Sequence, residues 1–550
     1  MGQVVSYSRK VRPGRRPAVL ICLCVLAVVL AACGSGPTTP TSPNLAANQT
    51  LIFPNVGTPD IGIMDPALGP DANSAIAVGM VYSGLVKFDK NLNVVPDQAT
   101  WSISADRKTY TFTLKPGLKF SDGTPVTAET YVYTLTRALF PEVASPIATF
   151  FLGNILGAND VANKKTRVLQ GVKALNSTTL QITLIQPAEY FLDIMADSIA
   201  FALNENVIDQ YGETGWPLEV AGNGIGTGPF MVKEWDHNAK MILVPNPYWY
   251  GNKTKLKEVD MIFVNDASTA YKAYQAGQYA FTWNITAQDL STAKGLSGFT
   301  TQSLLQTDLL FFNNTKPPFS HPEVRQAFAY ATDKNTLASA IFKGAAVPAT
   351  TIIPPGMPGY QSGYKGIPYD PAKAKSLLQS VYPDLSKVPT ITFSYPNSQI
   401  TPLESQALQQ MWQNALGIQV KLNPVELTAY NQETATQPPV VQFGFTQWTA
   451  DYPDPYDWLY LNLLSTAPNN NGDWHNATFD QTLQQAEQTS GAARIQLYNQ
   501  AEQIAISNVG WLPLDHQALS AIIPSWVHGV SLNSTGLFFG DWSDVYLLQH

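Results

Sequence analysis

Three aspartates stand three residues apart, Asp451, Asp454 and Asp457, inside the aromatic stretch Gln447 to Tyr460 (QWTADYPDPYDWLY). Two carboxylates can split a glycosidic bond, one giving a proton while the other attacks or activates water. Pro453 and Pro455 keep this stretch from forming a helix, so the three side chains need not share a face. Nothing elsewhere completes a catalytic set. The metalloprotease H-E-x-x-H, the hydrolase G-x-S-x-G, the Walker loop and the kinase motifs are absent. The histidines (His237, His321, His475, His516, His528, His550) stand singly, never at metal-binding spacing. Glycines 222, 224, 226 and 228 miss the dinucleotide fingerprint, and Pro229 stops any helix there. The chain reads as a non-enzyme, with no cofactor and no metal expected.

A binding role fits the same stretch better. Trp448, Tyr452, Tyr456, Trp458 and Tyr460 surround the aspartates. Aromatic rings give rigid contact surface, and a carboxylate in a partly dry pocket needs a cationic or hydrogen-bonding partner. Together they suit a ligand with an amine and apolar substituents. One other reading stays open from these residues: a loop whose aromatics anchor in the core.

Such residues need a large body to position them. The chain has 550 residues, 45% apolar and 13% charged, with 24 Phe, 24 Tyr and 12 Trp. That composition builds a core and excludes wholesale disorder; a mean hydropathy of −0.06 excludes a polytopic membrane protein. Tyr110, Phe112 and Leu114 alternate with polar neighbours, as do Leu180, Ile182 and Leu184, predicting half-buried strands. Asp122-Gly123 and Thr124-Pro125 announce a helix from near Thr127. Leu403, Ala407, Met411 and Leu416 predict one helical face, Phe479, Leu483 and Ala486 a second, and Leu497, Ala501 and Ile504 a third. These signals predict a mixed α/β protein in two lobes. No Pro/Ser-rich linker divides the body, so ordered crossovers must join them.

The N-terminus predicts export. Arg9, Lys10, Arg12, Arg15 and Arg16 precede an apolar run from Ala18 to Ala32, too short to span a membrane. All three cysteines lie within the first 33 residues, which excludes a disulfide framework or Cys-based zinc site downstream. Leu30-Ala31-Ala32-Cys33 resembles the bacterial lipobox, which implies an acylated Cys33 and a membrane anchor. Gly34 to Asn48 reads as a flexible leash. Removing residues 1–32, which hold five basic and no acidic residues, takes the net charge from −8 to −13 and argues against nucleic acid as a partner.

Further segments carry a resemblance. Met64-Asp65-Pro66-Ala67, Val81 to Val86 (VYSGLV), Trp101 to Asp106, Tyr110 to Leu139, Gly226 to Phe230 (GTGPF), Phe311 to Asn335 and Trp448 to Pro455 follow one another as in family 5 of the extracellular solute-binding proteins, the peptide receptors of ABC importers. The resemblance implies an α/β, periplasmic-binding-protein type II fold of two lobes with an extra third domain, closing around a ligand. It implies a signal peptide at 1–32, the acylated Cys33 and linker at 33–48, lobe I at 49–90, 213–306 and 516–550, the extra domain at 91–212 and lobe II at 307–515. Asp451 matches the aspartate that pairs with a peptide α-ammonium, and Trp448 a pocket-lining tryptophan. Trp283 and Asn284 match the aromatic and asparagine that end a pocket segment (Gly277 to Asn284, GQYAFTWN).

Two departures stand out. Phe445 replaces an arginine of the oligopeptide receptors, and Leu309, Leu310 and Phe311 stand where those receptors favour tyrosines and a glutamate. The expectation is a more apolar cleft without a charge clamp. The resemblance implies capture of a peptide, delivery to an ABC permease, a monomer, and lipid anchoring at the outer face of the cell membrane or in the periplasm. An oligosaccharide or other solute, and a sensing receptor or chaperone of the same fold, remain the alternatives.

Overall fold

The computed structural model describes residues 44–397, 401–467 and 469–550. Three sheets organise it. In lobe I, Thr50–Val56 runs parallel to Glu258–Val264, and Lys240–Pro245 and Phe230–Asp236 continue the sheet antiparallel. The extra domain holds an antiparallel sheet ordered Ala99–Ile103, Thr109–Leu114, Thr179–Thr183, Val172–Asn176. Phe112 lies opposite Leu180 and Tyr110 opposite Ile182, so the two expected alternating runs put their apolar sides on one buried face. The expected helix forms over Ala128–Ala138, with Thr127 and Thr130 making a capping box at its start.

Lobe II is built on a seven-stranded sheet. Its order is Thr282–Trp283, Trp511–Ile522, Phe299–Phe312, Phe443–Thr449, Ile391–Pro396, Val420–Val425, and Ala346–Pro348 pairs with Trp511–Ile522. Two of these strands belong to both lobes. Phe299 to Ser303 pair with Ile522 to Ala518, and Thr307 to Phe311 pair with His516 to Trp511. Leu519 and Ala521 pack into the lobe I core, while Leu310, Phe312, Leu512 and Leu514 pack into that of lobe II. The crossovers are thus ordered strands. Their register shifts between Ser303 and Thr307 and again between Asp308 and Leu309, irregularities that bend and twist a strand pair.

Helix Thr401–Leu416 forms as its periodicity predicts, but its buried stripe differs. Leu403 is exposed, whereas Glu404, Ser405, Leu408, Trp412, Ala415 and Leu416 are buried. Trp412 fixes this rotation by packing against Phe328, Phe393 and Phe443 and donating its Nε1–H to Thr332. The glycine-rich run is a structural turn. A Cβ on Gly226 would lie 2.0 Å from Val81 O, and one on Gly228 2.4 Å from Met80 O, so only glycine lets this backbone press on helix Ala72–Val81.

The expected leash extends less far than Asn48. Ala46 N donates to Leu547 O, Gln549 N to Asn44 O, and the Gln49 side chain bonds Leu547 twice. Residues 44–49 are therefore fastened to the C-terminal segment, because paired backbone there satisfies groups that a free linker would leave to water. The expected signal segment and Cys33 lie outside the described residues. Among the described residues no helix is long and apolar enough to cross a membrane.

One buried acid in lobe II gives a pH prediction. Glu502 is fully buried, accepts bonds from Ile353 N and Gln361 Nε2, and burial pushes its pKa up to about 7. The folded state therefore holds a proton that the unfolded chain releases between about pH 4.5 and 7. Its stabilising share is complete below that window and fades as pH rises through 7. Urea unfolding should show Glu502→Gln losing roughly 2 kcal/mol of the wild-type gain between pH 7.5 and 5.5. An unchanged pH gain in the variant would refute this assignment.

Candidate functional site

Strand Phe443–Thr449 carries the chain out of the lobe II sheet, and the three aspartates follow at its end. They do different things. Asp454 is a structural anion: both its oxygens bond Arg494, at 2.7 and 2.8 Å, and Oδ1 also accepts from Tyr456 N. Asp457 is fully buried. Its Oδ2 accepts the indole N–H of Trp448 at 3.0 Å and the backbone N–H of Asp451 at 3.2 Å. That one carboxylate sets both the tryptophan ring and the Asp451 backbone. Asp451 itself is exposed, and among the described residues it joins no ion pair. A π-helical turn, Tyr456–Tyr460, follows at once, a rare widening often found beside functional sites.

The electrostatics are those of a cation receiver. Protein walls around Asp451 raise its pKa although the side chain is open to solvent, and a bond to Asp457 partly offsets this. Burial and the neighbouring Asp451 hold Asp457 well above the usual carboxylate range. Asp197 of the extra domain is raised to about 6, mainly by burial, with Asp451 contributing. Asp451 thus repels an acid of each body, Asp457 and Asp197, and an arriving cation would relieve that repulsion.

Most of the aromatic stretch has another task. Tyr452 stacks on Tyr190 of the extra domain (5.4 Å between centroids), Tyr190 on Tyr456 (4.4 Å), and Tyr456 on Tyr460 (4.5 Å). These rings seal the extra domain against lobe II. Trp458 is fully buried, with its Nε1 against Met357 Sδ, so it offers no platform to a sugar. Leu309, Leu310, Phe311 and Phe445 also lie in the lobe II core. The apolar replacements fill the interior rather than line a cleft, which corrects the expectation drawn from them.

Trp283 and Asn284 belong to the other side. Strand Thr282–Trp283 pairs with Ile522 and Ala521, and the Trp283 indole donates to Pro54 O at 2.8 Å. Its ring packs in the lobe I core and borders a cavity of about 400 Å³ with Tyr82, Phe539 and Trp542. Asn284 is exposed, at φ +58°, near Gly57 and Asn73. Among the described residues no hydrogen bond or ring contact joins Trp283 or Asn284 to Trp448 or Asp451. The structure thus brings together Trp448 and Asp451, and separately Trp283 and Asn284. Sequence reasoning missed Asp457 as the orienting acceptor and Asp197 as a facing acid. The three-residue spacing flagged the first; no sequence signal marks the second.

Comparison with known proteins adds four findings. The profile of "Bacterial extracellular solute-binding proteins, family 5 Middle" matches residues 93–470. The chain is similar to the oligopeptide-binding protein OppA of Bacillus subtilis, 28% identical over 542 residues, covering 95% of this chain and 98% of the relative. It is also similar to the probable deoxycholate-binding periplasmic protein YgiS of Escherichia coli, 31% identical over 506 residues, covering 90% and 93%. Among solved structures it resembles the unliganded open form of MppA, a periplasmic murein tripeptide binding protein. The TM-score there is 0.79 at 27% identity, covering 93% of this chain and 99% of that one.

Proposed function

Because the chain belongs to family 5 of the bacterial extracellular solute-binding proteins and has their periplasmic-binding-protein type II fold, we propose that it captures peptides outside the cytoplasm and delivers them to an ABC permease. The observation that carries this reading is Asp451: an exposed carboxylate that has no ion-pair partner among the described residues and that shares Asp457 with Trp448. It receives the peptide α-ammonium; Trp448 walls that end, and Trp283 and Asn284 serve the lobe I side. The protein works without catalysis, cofactor or nucleic acid, as a monomer tethered through acylated Cys33 to the cell membrane, in the periplasm or at the membrane's outer face. Lobe I comprises 49–90, 213–306 and 516–550, the extra domain 91–212 and lobe II 307–515. The lobes close about the two crossover strands, near their register shifts.

Thermal melts of residues 44–550 test this with pooled three- to five-residue peptides, free and N-acetylated, and with deoxycholate. A ligand at 100 times Kd stabilises by about 2.7 kcal/mol, enough to move a melt. A shift with free peptides only supports the reading. Equal shifts with both pools remove the ammonium role from Asp451. A shift with deoxycholate and neither pool replaces peptides with an amphipathic solute.

A further inference from the structure

At the point where the crossover strands enter lobe II, three acids converge that the peptide reading does not use. Asp308 and Asp515 are register partners on those strands. Glu404 reaches them from the first turn of helix Thr401–Leu416. Each offers a carboxylate oxygen, and these oxygens all lie within 4.8 Å of one another. The residues are 3%, 1% and 0% exposed for Asp308, Glu404 and Asp515. Both Glu404 oxygens and Asp515 Oδ2 are buried without a hydrogen-bond partner. Buried polar atoms are nearly always satisfied, and an unpaired buried carboxylate is among the most costly exceptions.

Nothing described nearby discharges the group. Burial raises Asp308 to about 6 and holds Glu404 and Asp515 well above the usual carboxylate range, with Asp308 adding to the shift of both. Lys334 is the cation whose charge reaches Asp515, yet its Nζ donates to Ala349 O at 2.9 Å and among the described residues forms no ion pair. Two amides stand over the cluster. Gln447 Nε2 donates to Asp308 Oδ1 at 2.7 Å, and Gln517 Nε2 to Asp308 Oδ2 and Asp515 Oδ1, both at 2.8 Å. Gln447 is exposed and Gln517 half-buried, so a small ion can reach the acids by displacing an amide.

We propose that Asp308, Glu404 and Asp515 form a binding site for one divalent cation of the hard, oxygen-preferring class, with calcium the best fit. Oxygens on opposite sides of a calcium ion stand about 4.6–5.2 Å apart, and adjacent ones stand closer, so the observed window suits its bond lengths and flexible geometry. Magnesium requires a tighter octahedron and keeps several waters, which burial this deep does not favour. An amide turned about its last bond would present Oε1 as a neutral further ligand. The depth of the site excludes an organic cation of any bulk. No short motif marks the site, because its ligands come from three separated elements; a search for His and Cys spacing passes over it.

The site ties both crossover strands to the helix carrying Glu404 where they enter lobe II, so an ion there would brace that junction. The test uses residues 44–550 freed of metal by chelator, titrated calorimetrically with CaCl2, MgCl2 and MnCl2, with thermal melts alongside. Expected are one calcium per chain, a rise in melting temperature with CaCl2, and at least tenfold weaker calcium binding in Glu404→Gln and Asp308→Asn. If either variant fails to fold, the wild-type titration still decides. Absence of a one-to-one calcium isotherm at millimolar concentration overturns the proposal, as does unweakened binding in the folded variants. Peptide melts with and without calcium are read separately, so failure here leaves the peptide reading standing.

Discussion

Asp451→Asn is expected to weaken peptides with a free amine by roughly 10- to 40-fold while changing N-acetylated versions less than about threefold. A charge-assisted hydrogen bond contributes roughly 1.5–3 kcal/mol in a desolvated site. The lower half of that range applies, since Asp451 is exposed before a ligand covers it. Asparagine keeps the shape and the backbone N–H that Asp457 accepts, so the substitution removes charge with little else. Acidification should act in the same direction. Burial raises the Asp451 pKa, so on acidification affinity for free peptides should begin to fall at a higher pH than an ordinary aspartate would set. Calorimetry with matched free and acetylated peptides decides. Equal losses for both would place Asp451 outside amine recognition.

Arg137→Met should destabilise the fold by about 3–5 kcal/mol. Arg137, on helix Ala128–Ala138 of the extra domain, is 1% exposed. Its guanidinium makes two bonds to Asp65, at 3.2 and 2.7 Å, and two to Glu213 Oε2, at 2.9 and 2.6 Å, and it lies against the Trp216 ring. Removing it leaves the buried Asp65 side chain with one backbone donor, Ala67 N, in place of its guanidinium partner. Adding Asp65→Leu should restore part of the loss, because the uncompensated charge then disappears. Urea unfolding of the single and double variants measures this. A single-variant loss below 1 kcal/mol would show that water reaches the cluster and solvates the stranded carboxylates.

Strands Thr109–Leu114 and Thr179–Thr183 and helix Ala477–Glu487 were legible because each buries one side only, and a one-sided element writes its period into the sequence. Helix Thr401–Leu416 shows the limit. Its existence follows from periodicity, but its rotation turns Leu403 outward and Glu404 inward, against the rule that apolar residues lead inside. The stretch around Asp451 announces itself by composition. Which ring faces solvent does not: Trp448 and Trp458 look alike in sequence, yet only Trp448 remains partly open. Asp197 faces Asp451 from the extra domain through tertiary placement alone. Asp308, Glu404 and Asp515 are unremarkable until three elements meet.

The fastening of residues 44–49 to the C-terminal segment sets a load path. Leu45 bridges Leu548, Asn44 and Ala46 share backbone bonds with that segment, and His550 stacks on Trp526 at 3.8 Å. Both described ends of the chain therefore sit on lobe I. A pull arriving from ahead of Asn44 enters as shear across several bonds sharing the force, and it stays within one lobe. On the proposed tethering and closure, such a pull would bypass the paired strands Phe299–Phe312 and Trp511–Ile522 and would do no work on opening or closing. Under that proposal lobe I would be the fixed jaw and lobe II the moving one.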